Sequence, residues 1–333
     1  MARSRYLPDN FTLALVTTVA LASLWPAHGA SARFFEQLTT VAIGVLFFLH
    51  GAKLSREAIV GGITHWRLHL LVFASTFIVF PLLGLALRPV LTPLVTPDLY
   101  TGVLYLCVLP ATVQSAIAFT SMARGNISAA VCSASASTLL GVFVTPVLVN
   151  LIVVPSSAAG ASLDAIGRIL LQLLVPFIAG HLLRPWIGAL VKRRASVLTL
   201  VDRGSILLVV YTAFSAAVIE GLWKQVPLSA LAGLLVVCAV VLALALTFTT
   251  WSSRALGFDK ADEITIVFCG SKKSLASGIP MAKVLFASHA VGAIVLPLML
   301  FHQMQLMVCA VLAQRYARRP ETEDPARAVG HRA

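Results

Sequence analysis

Residues 228–252, LSALAGLLVVCAVVLALALTFTTWS, form an unbroken run without Asp, Glu, Lys or Arg. The run is longer than the roughly 20 apolar residues that a helix needs to cross a bilayer. Similar runs recur along the whole chain, which is 59% hydrophobic and only 11% charged, with a mean hydropathy of +0.92. Because soluble domains have about 25% charged residues, the composition predicts an all-α, polytopic membrane protein.

The charge-free stretches predict ten transmembrane helices. We place them at residues 11–27, 36–51, 68–87, 98–122, 127–153, 164–184, 203–221, 228–252, 263–285 and 289–314. The first span has an alternative interpretation, because Arg3, Arg5, the apolar residues that follow them and the small residues at 30–32 are also typical of a secretory signal peptide. We treat residues 1–333 as one integral membrane domain with a basic tail at 315–333.

The distribution of Lys and Arg predicts the orientation. Of the 25 such residues, eighteen fall in the termini and in the loops on the same side as the termini, five fall on the opposite side, and two lie inside a span. Positive loops stay in the cytoplasm, so both termini are predicted to be cytoplasmic, in a bacterial-type inner membrane. Cytoplasmic retention explains the net charge of +12 without a nucleic-acid partner; the lipid bilayer is the expected surrounding.

A weak internal repeat is the next feature. Shifted by 159 residues, QSAIAFTSMAR at 114–124 aligns with KSLASGIPMAK at 273–283, with three identities and an Arg/Lys match. These segments lie in helices 4 and 9, and a repeat of five helices inserts its second copy upside down, as in many secondary transporters. We therefore predict two inverted five-helix repeats, at about 10–154 and 163–314.

Both repeated segments begin at a helix breaker: Pro110 in helix 4, and Gly270, which a polar cluster follows, in helix 9. Unwound backbone at membrane depth is tolerated only where protein or a water-filled cavity satisfies its polar groups. Two breaks at matching positions predict a binding site. The alternative is a pair of ordinary kinks in which serines bond back to carbonyls.

Two adjacent lysines, Lys272 and Lys273, lie inside span 9, and no Asp or Glu is central in any span. A charge at this depth costs roughly 2.5–3.5 kcal/mol and indicates a functional site. Three outcomes are open: a lysine neutralised by desolvation, a lysine in a cation site of carbonyls and hydroxyls, or an attraction for an anionic substrate. The alternative is that both side chains reach the interface.

These residues carry a family resemblance. The segments Leu109-Pro110-Ala111-Thr112-Val113-Gln114-Ser115 and Cys269-Gly270-Ser271-Lys272-Lys273-Ser274-Leu275-Ala276 resemble the bile acid:sodium symporter superfamily, and within it the bacterial sodium bile acid symporter-like branch. The resemblance covers about 9–316. It implies a panel domain and a core domain, with broken helices 4 and 9 crossing in the core, and alternating-access transport around that crossing. The substrate that we expect is a small organic anion.

The sequence departs from the family at the ion sites. Sodium-coupled members carry Glu, Gln and Asn at the ninth-helix crossing, where this chain has Phe268, Lys272 and Lys273; hydroxyl positions of the fifth helix fall on Ala130 and Ala134. Sodium coupling is therefore doubtful, and no other cofactor is predicted. The candidate substrate- or ion-binding residues are Thr112, Gln114, Ser115, Asn126, Ser133, Ser137, Ser271, Lys272, Lys273 and Ser274.

The two lysines are predicted to have different roles. If the segment after Gly270 is helical, adjacent side chains point about 100° apart; Lys273, aligned with Gln114, then faces the anion, and Lys272 fills the former cation site. The alternative function is a membrane-embedded enzyme that uses one of them as a base or Schiff-base nucleophile. His302, Gln303 and Gln305 are predicted to mediate helix packing, with cavity lining as the alternative.

Overall fold

The computed structural model describes residues 10–53, 65–153, 163–286 and 291–319, and it contains no strand in these ranges. Twelve helices are labelled here, and two short helical turns, Arg88–Leu91 and Leu222–Gln225, are left unlabelled. The helices are α1 Asn10–Leu24, α2 Ala30–Lys53, α3 Trp66–Ala86, α4 Pro97–Val108, α5 Gln114–Met122, α6 Ile127–Val153, α7 Leu163–Arg193, α8 Ala195–Ile219, α9 Leu228–Ala255, α10 Lys260–Gly270, α11 Leu275–Leu285 and α12 Val291–Ala317.

Among the described residues, seven helices are long and apolar enough to cross a membrane by length and composition. They are α2, α3, α6, α8, α9, α12 and the Leu173–Val191 part of α7. Two of them contain a π-helical segment, Ser75–Val79 inside α3 and Val149–Val153 at the end of α6. The chain is therefore a multi-pass, all-helical membrane protein.

Each predicted span falls on a helix or on a pair of helices, but three boundaries are wrong. Helix 2, predicted at 36–51, begins at Ala30; helix 6, predicted at 164–184, continues to Arg193; and helix 7, predicted at 203–221, begins at Ala195. The prediction ended spans at charged residues. A helix does not end where its apolar surface ends, because exposed charged side chains extend it without loss of backbone hydrogen bonds.

Helices α1, α2, α7 and α8 pack together as one group. The contact between α2 and α7 depends on two glycines: a Cβ added to Gly51 would lie 1.9 Å from the carbonyl oxygen of Phe177, and one added to Gly180 would lie 1.9 Å from that of Phe48. Only glycine permits this backbone approach. The first predicted span, α1, packs along α8 and buries Leu15.

Helices α3–α6 and α9–α12 form the second group. Spans 4 and 9 are each divided into two helices, α4–α5 and α10–α11, separated by the segments 109–113 and 271–274. Other prolines inside helices, such as Pro146 and Pro297, do not divide them. Both breaks lie deep in this second group, where α12 contacts α4, α5 and α11.

Candidate substrate and ion site

The first break, residues 109–113, begins where Pro110 interrupts the helical hydrogen bonds. Its polar backbone groups have specific partners: the amide of Ala111 donates to Ser137 Oγ at 2.9 Å, and Thr145 Oγ1 donates to the Val108 carbonyl at 2.9 Å. Gly141 makes room for the proline ring, since a Cβ there would lie 2.6 Å from Pro110 Cβ. Helix α6 therefore supplies both the hydrogen-bond partners and the space that this break requires.

The second break, residues 271–274, depends on α12 and α3. The Gln305 side chain accepts from the Lys273 amide at 2.9 Å and donates to the Lys273 carbonyl at 3.0 Å. Ser75 Oγ donates to the Gly270 carbonyl at 2.9 Å. After the break, Ser274 caps α11 by accepting from the Ser277 amide.

The two breaks meet. The Ser274 amide of the second donates to the Pro110 carbonyl of the first at 2.9 Å, and Tyr105 Oη, on α4, donates to the Gly278 carbonyl of α11 at 2.6 Å. These bonds join half-helices that lie more than 160 residues apart in the chain. The crossing is therefore a single hydrogen-bonded unit.

Lys273 occupies a cage of backbone carbonyls. Its ammonium donates to the carbonyl oxygens of Thr76, Cys107 and Leu109, each at 2.8 Å, and lies 4.1 Å from the centre of the Phe80 ring. The side chain is completely buried. Three donors meet three acceptors, so this ammonium is fully satisfied without a carboxylate.

Lys272 has a different environment, although it is equally buried. Its Nζ has no hydrogen-bond partner and lies 4.2 Å and 5.4 Å from the ring centres of Phe119 and Phe268. Cation–π attraction is the main polar contact that the structure gives this group. Two adjacent lysines therefore differ completely in how their charges are accommodated.

The predicted roles of these lysines need correction. Lys273 was expected to face an anion and Lys272 to fill the former cation site, but the carbonyl cage holds Lys273, and neither lysine lines the cavity described below. The prediction assumed a helix after Gly270. Since residues 271–274 are not helical, helical spacing does not determine where the two side chains point.

A cavity of about 430 Å³ lies beside the crossing, between the two helix groups. Four of the ten candidate residues line it, namely Thr112, Gln114, Ser115 and Ser274. The opposite wall carries charged and titratable side chains from α2 and α8, namely His50, Lys53, Asp202 and Arg203. The cavity therefore brings the half-helix ends of the breaks close to ionisable groups of the other helix group.

The remaining candidates lie elsewhere. Asn126 caps α6 by accepting from the Ala129 amide and donates to Asp262 Oδ1 at 2.9 Å, which ties the α5–α6 turn to α10. Ser133 Oγ lies 2.6 Å from Nδ1 of His69. Ser271 donates back to the Val267 carbonyl, and Ser137 supports the first break as described above. These contacts support the helices around the cavity.

Several cavity residues differ from the favoured sequence prediction or were not predicted at all. His302 and Gln303, predicted to mediate packing, line the cavity, whereas Gln305 does pack, against the second break. Lys53 and Asp202 form an ion pair in the cavity wall. Both residues lie near the ends of predicted spans, where charged side chains are ordinarily interfacial, so neither was predicted to line a site. They are also 149 positions apart in the chain, and no spacing rule relates residues at that separation.

The enzyme alternative finds no support in this geometry. A base or Schiff-base lysine must reach its substrate, but both Lys272 and Lys273 are 0% exposed and neither contacts the cavity.

Known proteins resemble the chain over nearly its whole length. A protein of Pseudomonas aeruginosa named "Uncharacterized protein PA2026" is 70% identical over 319 residues, 96% of each chain. The Escherichia coli protein named "Putative symporter YfeH" is 60% identical over 313 residues, 94% of each chain. The "Sodium/bile acid cotransporter 7" of Rattus norvegicus is 28% identical over 314 residues, 92% of each chain.

The family profile that matches is that of the SBF-like CPA transporter family, and it covers residues 9–318. The resemblance inferred from the two break motifs is thereby confirmed. None of the three names quoted above describes an enzyme. The chain therefore belongs to the SBF-like CPA transporter family and is a multi-pass membrane transporter of the bile acid:sodium symporter type.

Proposed function

We propose that the protein is a secondary-active transporter of a small organic anion that works without sodium. The observation that carries this proposal is the cavity of about 430 Å³ beside the two crossing breaks. Its volume is within the range of small-molecule sites, roughly 300–1,000 Å³. Its walls come from both helix groups, so movement of one group against the other would change access to it.

The proposed topology has ten transmembrane helices in two inverted repeats, at 10–154 and 163–314. Helices α1, α2, α7 and α8 would form the panel, and the remaining eight would form the core. Both termini and the tail at 315–333 would be cytoplasmic, in the inner membrane of a bacterium. The Lys and Arg distribution supports this orientation, and the two breaks at matching repeat positions support the inversion.

An anion suits the cavity for two reasons. Lys53 and Arg203 supply positive charge from the panel side. From the core side, α5 begins without a side-chain cap beside Gln114 and Ser115, so its first amides are available to an anionic group. We therefore propose that the anion lies between the α5 N-terminus and Lys53.

With this orientation, we propose that the structure corresponds to an inward-open state. The panel residues that line the cavity lie towards the proposed cytoplasmic ends of their helices, as Phe11, Lys53 and Thr199 illustrate. At the other end, Lys283 of the core pairs with Glu36 of the panel at 3.3 Å. Gly292 of α12 also packs closely on α8, where an added Cβ would lie 2.6 Å from Ala217 Cβ. These contacts would separate in the outward-open state.

Sodium independence is proposed from Lys273. Carbonyl oxygens are typical ligands of alkali cations, and here three of them already bind an ammonium that is covalently attached to the chain. A cation that is covalently attached to the chain cannot be released on either side of the membrane, so this site cannot couple transport to a sodium gradient. Lys273 would instead stabilise the crossing.

Purified protein in proteoliposomes tests these proposals. A thermal-shift screen of mono- and dicarboxylates and sulfonates identifies a bound anion, whose uptake is then measured with sodium and with choline in its place. We expect equal uptake in both solutions and weaker uptake in Gln114→Ala, with Thr40→Ala on the exposed face of α2 as the matched control. Steep dependence on sodium would contradict the role of Lys273, and the absence of any bound anion would contradict the function.

A further inference from the structure

The function proposed above uses Lys53 but gives no role to its ion-pair partner in the cavity wall, Asp202. Lys53, near the end of α2, pairs with Oδ2 of Asp202 on α8, and both side chains line the cavity. Asp202 is only 8% exposed, whereas about a third of the Lys53 side-chain surface is exposed (33%). An incoming ligand can therefore reach Lys53 while Asp202 stays largely away from water.

The second carboxylate oxygen of Asp202 is unsatisfied. Oδ1 is buried and has no hydrogen-bond partner, and the same is true of Nδ1 of His50, one turn before Lys53. A buried, ionised carboxylate oxygen without a donor is unfavourable. Protonation would remove the charge from this site and supply a donor hydrogen.

Few other charges act on Asp202. On its own helix, the guanidinium of Arg203 lies over the Phe11 ring of α1, 5.4 Å from its centre. From α2 it is faced by His50 and Lys53. Across the α2–α7 contact, His181 lies beside Gly51, with its Nδ1 buried and without a partner. Of the cations in the described residues, only Lys53 is hydrogen-bonded to Asp202.

Anion binding must disturb this pair. A carboxylate that binds to Lys53 competes with Asp202 for the same ammonium. If both anions stayed at Lys53 at once, its single positive charge would face two negative charges at a site of low dielectric, which is strongly unfavourable. The competition is relieved if Asp202 becomes neutral.

We propose, on the basis of the anion-transport function above, that Asp202 is the proton-binding site that couples transport to a proton gradient. The substrate anion replaces Asp202 at Lys53, and the released carboxylate binds one proton at an oxygen. The charge in the cavity is the same before and after, because one anion and one proton enter together. When the anion leaves, Lys53 pairs with Asp202 again and the proton dissociates.

The first test needs no substrate. Infrared difference spectroscopy detects the C=O stretch of a protonated carboxylic acid in the intact protein. At neutral pH we expect no such band from Asp202 in the wild type, a new band in Lys53→Met, and its loss in the double variant Lys53→Met/Asp202→Asn. The matched control is Lys283→Met, which removes the cation of the exposed Glu36 pair, 62% exposed at the carboxylate, and should give no band.

The outcomes are distinct. If Lys53→Met gives no band that Asp202→Asn removes, Asp202 stays ionised without its partner and the proposal is wrong. If the wild type already shows an Asp202 band at neutral pH, Lys53 does not control the proton and the proposal is equally wrong. Circular dichroism and gel filtration of each variant establish that the compared proteins are folded.

The second test uses transport. In proteoliposomes, an inward proton gradient should drive the wild type to accumulate the anion identified by the screen above the external concentration. Asp202→Asn should give an internal-to-external ratio near one, whether or not the gradient is present, and Thr40→Ala, on the exposed face of α2, should respond like the wild type. Wild-type uptake that does not depend on the proton gradient would overturn proton coupling but would leave the anion-transport proposal intact. A protein that binds no anion would overturn the transport proposal, while the infrared result would still decide on Asp202.

Discussion

The two breaks occupy corresponding positions in the repeat, but their backbones are satisfied by different chemistry. At the first, carbonyls of Cys107 and Leu109 accept from a charged group, the Lys273 ammonium. At the second, both backbone groups of Lys273 bond to one neutral side chain, Gln305. The first break thus depends on a cation and the second on an amide.

The difference shows that the breaks are not independent. The cation of the first break is a side chain of the second, so the geometry of residues 271–274 determines whether the carbonyls at 107–109 have a donor. No side chain of the first break satisfies the second in the same way; the bond in that direction uses the Pro110 carbonyl. Two breaks at aligned positions of the sequence can therefore be unequal in chemistry.

The largest expected effect comes from removing that cation. Lys273→Met leaves three buried carbonyl oxygens without the ammonium that they bind, and each unsatisfied buried polar group costs about 1–3 kcal/mol, so the three together should cost at least about 3 kcal/mol. We expect a loss of stability of this size, measured as the change in the free energy of unfolding by chemical denaturation in detergent.

Lys272→Met is the matched control, since it removes the same charge one residue away. Its Nζ has no hydrogen-bond partner, so the variant loses only cation–π attraction, about 2 kcal/mol at most for a desolvated pair. It also removes the cost of burying an unpaired charge. A larger loss for Lys272→Met than for Lys273→Met would reverse the comparison between the two lysines.

The second prediction is that removal of the Lys273 side chain converts the carbonyl cage into a cation site. Lys273→Ala leaves the carbonyls of Thr76, Cys107 and Leu109 around a space that a sodium ion can occupy. A bound ligand stabilises the folded state by about 2.7 kcal/mol at a concentration 100 times its Kd. Sodium chloride should therefore raise the Tm of this variant more than choline chloride does.

The wild type provides the reference for that experiment, because its cage is already filled. We expect its Tm to respond equally to the two salts. Equal responses in the variant as well would mean that the carbonyls do not form a cation site without the ammonium.

The third prediction concerns the second break, where the neutral side chain of Gln305 satisfies the backbone of Lys273. Gln305→Leu removes the partner of both the amide and the carbonyl of Lys273, and a buried unsatisfied polar group costs about 1–3 kcal/mol. We expect a loss in this range, smaller than that of Lys273→Met. Met304→Leu, the neighbouring residue on α12, conserves side-chain volume and should change the free energy of unfolding much less.

Much of this fold could be predicted from the sequence, because apolar length and charge asymmetry act locally. The span at 127–153 coincides with helix α6, and Pro110 and Gly270 mark the breaks. The predicted helix boundaries were wrong where charged residues continued a helix, as at Arg193. These signals depend only on residues that are neighbours in the sequence, so they can be recognised without a structure.

The site was less predictable, since it depends on contacts between distant residues. Nothing in the sequence relates Lys53 to Asp202, or Lys273 to the carbonyl of Thr76, which lies 197 positions away. Backbone carbonyls have no sequence signature at all. A cation site built from them could be suspected from the unpaired lysines, but the lysine that fills it could only be identified from the structure.

The smallest effect should come from the support of the first break. Ser137→Ala leaves the Ala111 amide without its acceptor, and one unsatisfied buried polar group costs about 1–3 kcal/mol, against two such groups in Gln305→Leu. We expect a loss in this range because Ala111 is fully buried and its amide is out of reach of water. Ser135→Ala, two residues earlier on α6 and at the cavity, is the control: it should leave the free energy of unfolding nearly unchanged and act instead on anion binding. If the two variants lost equal stability, the Ser137 hydroxyl would have no specific part in stabilising the first break.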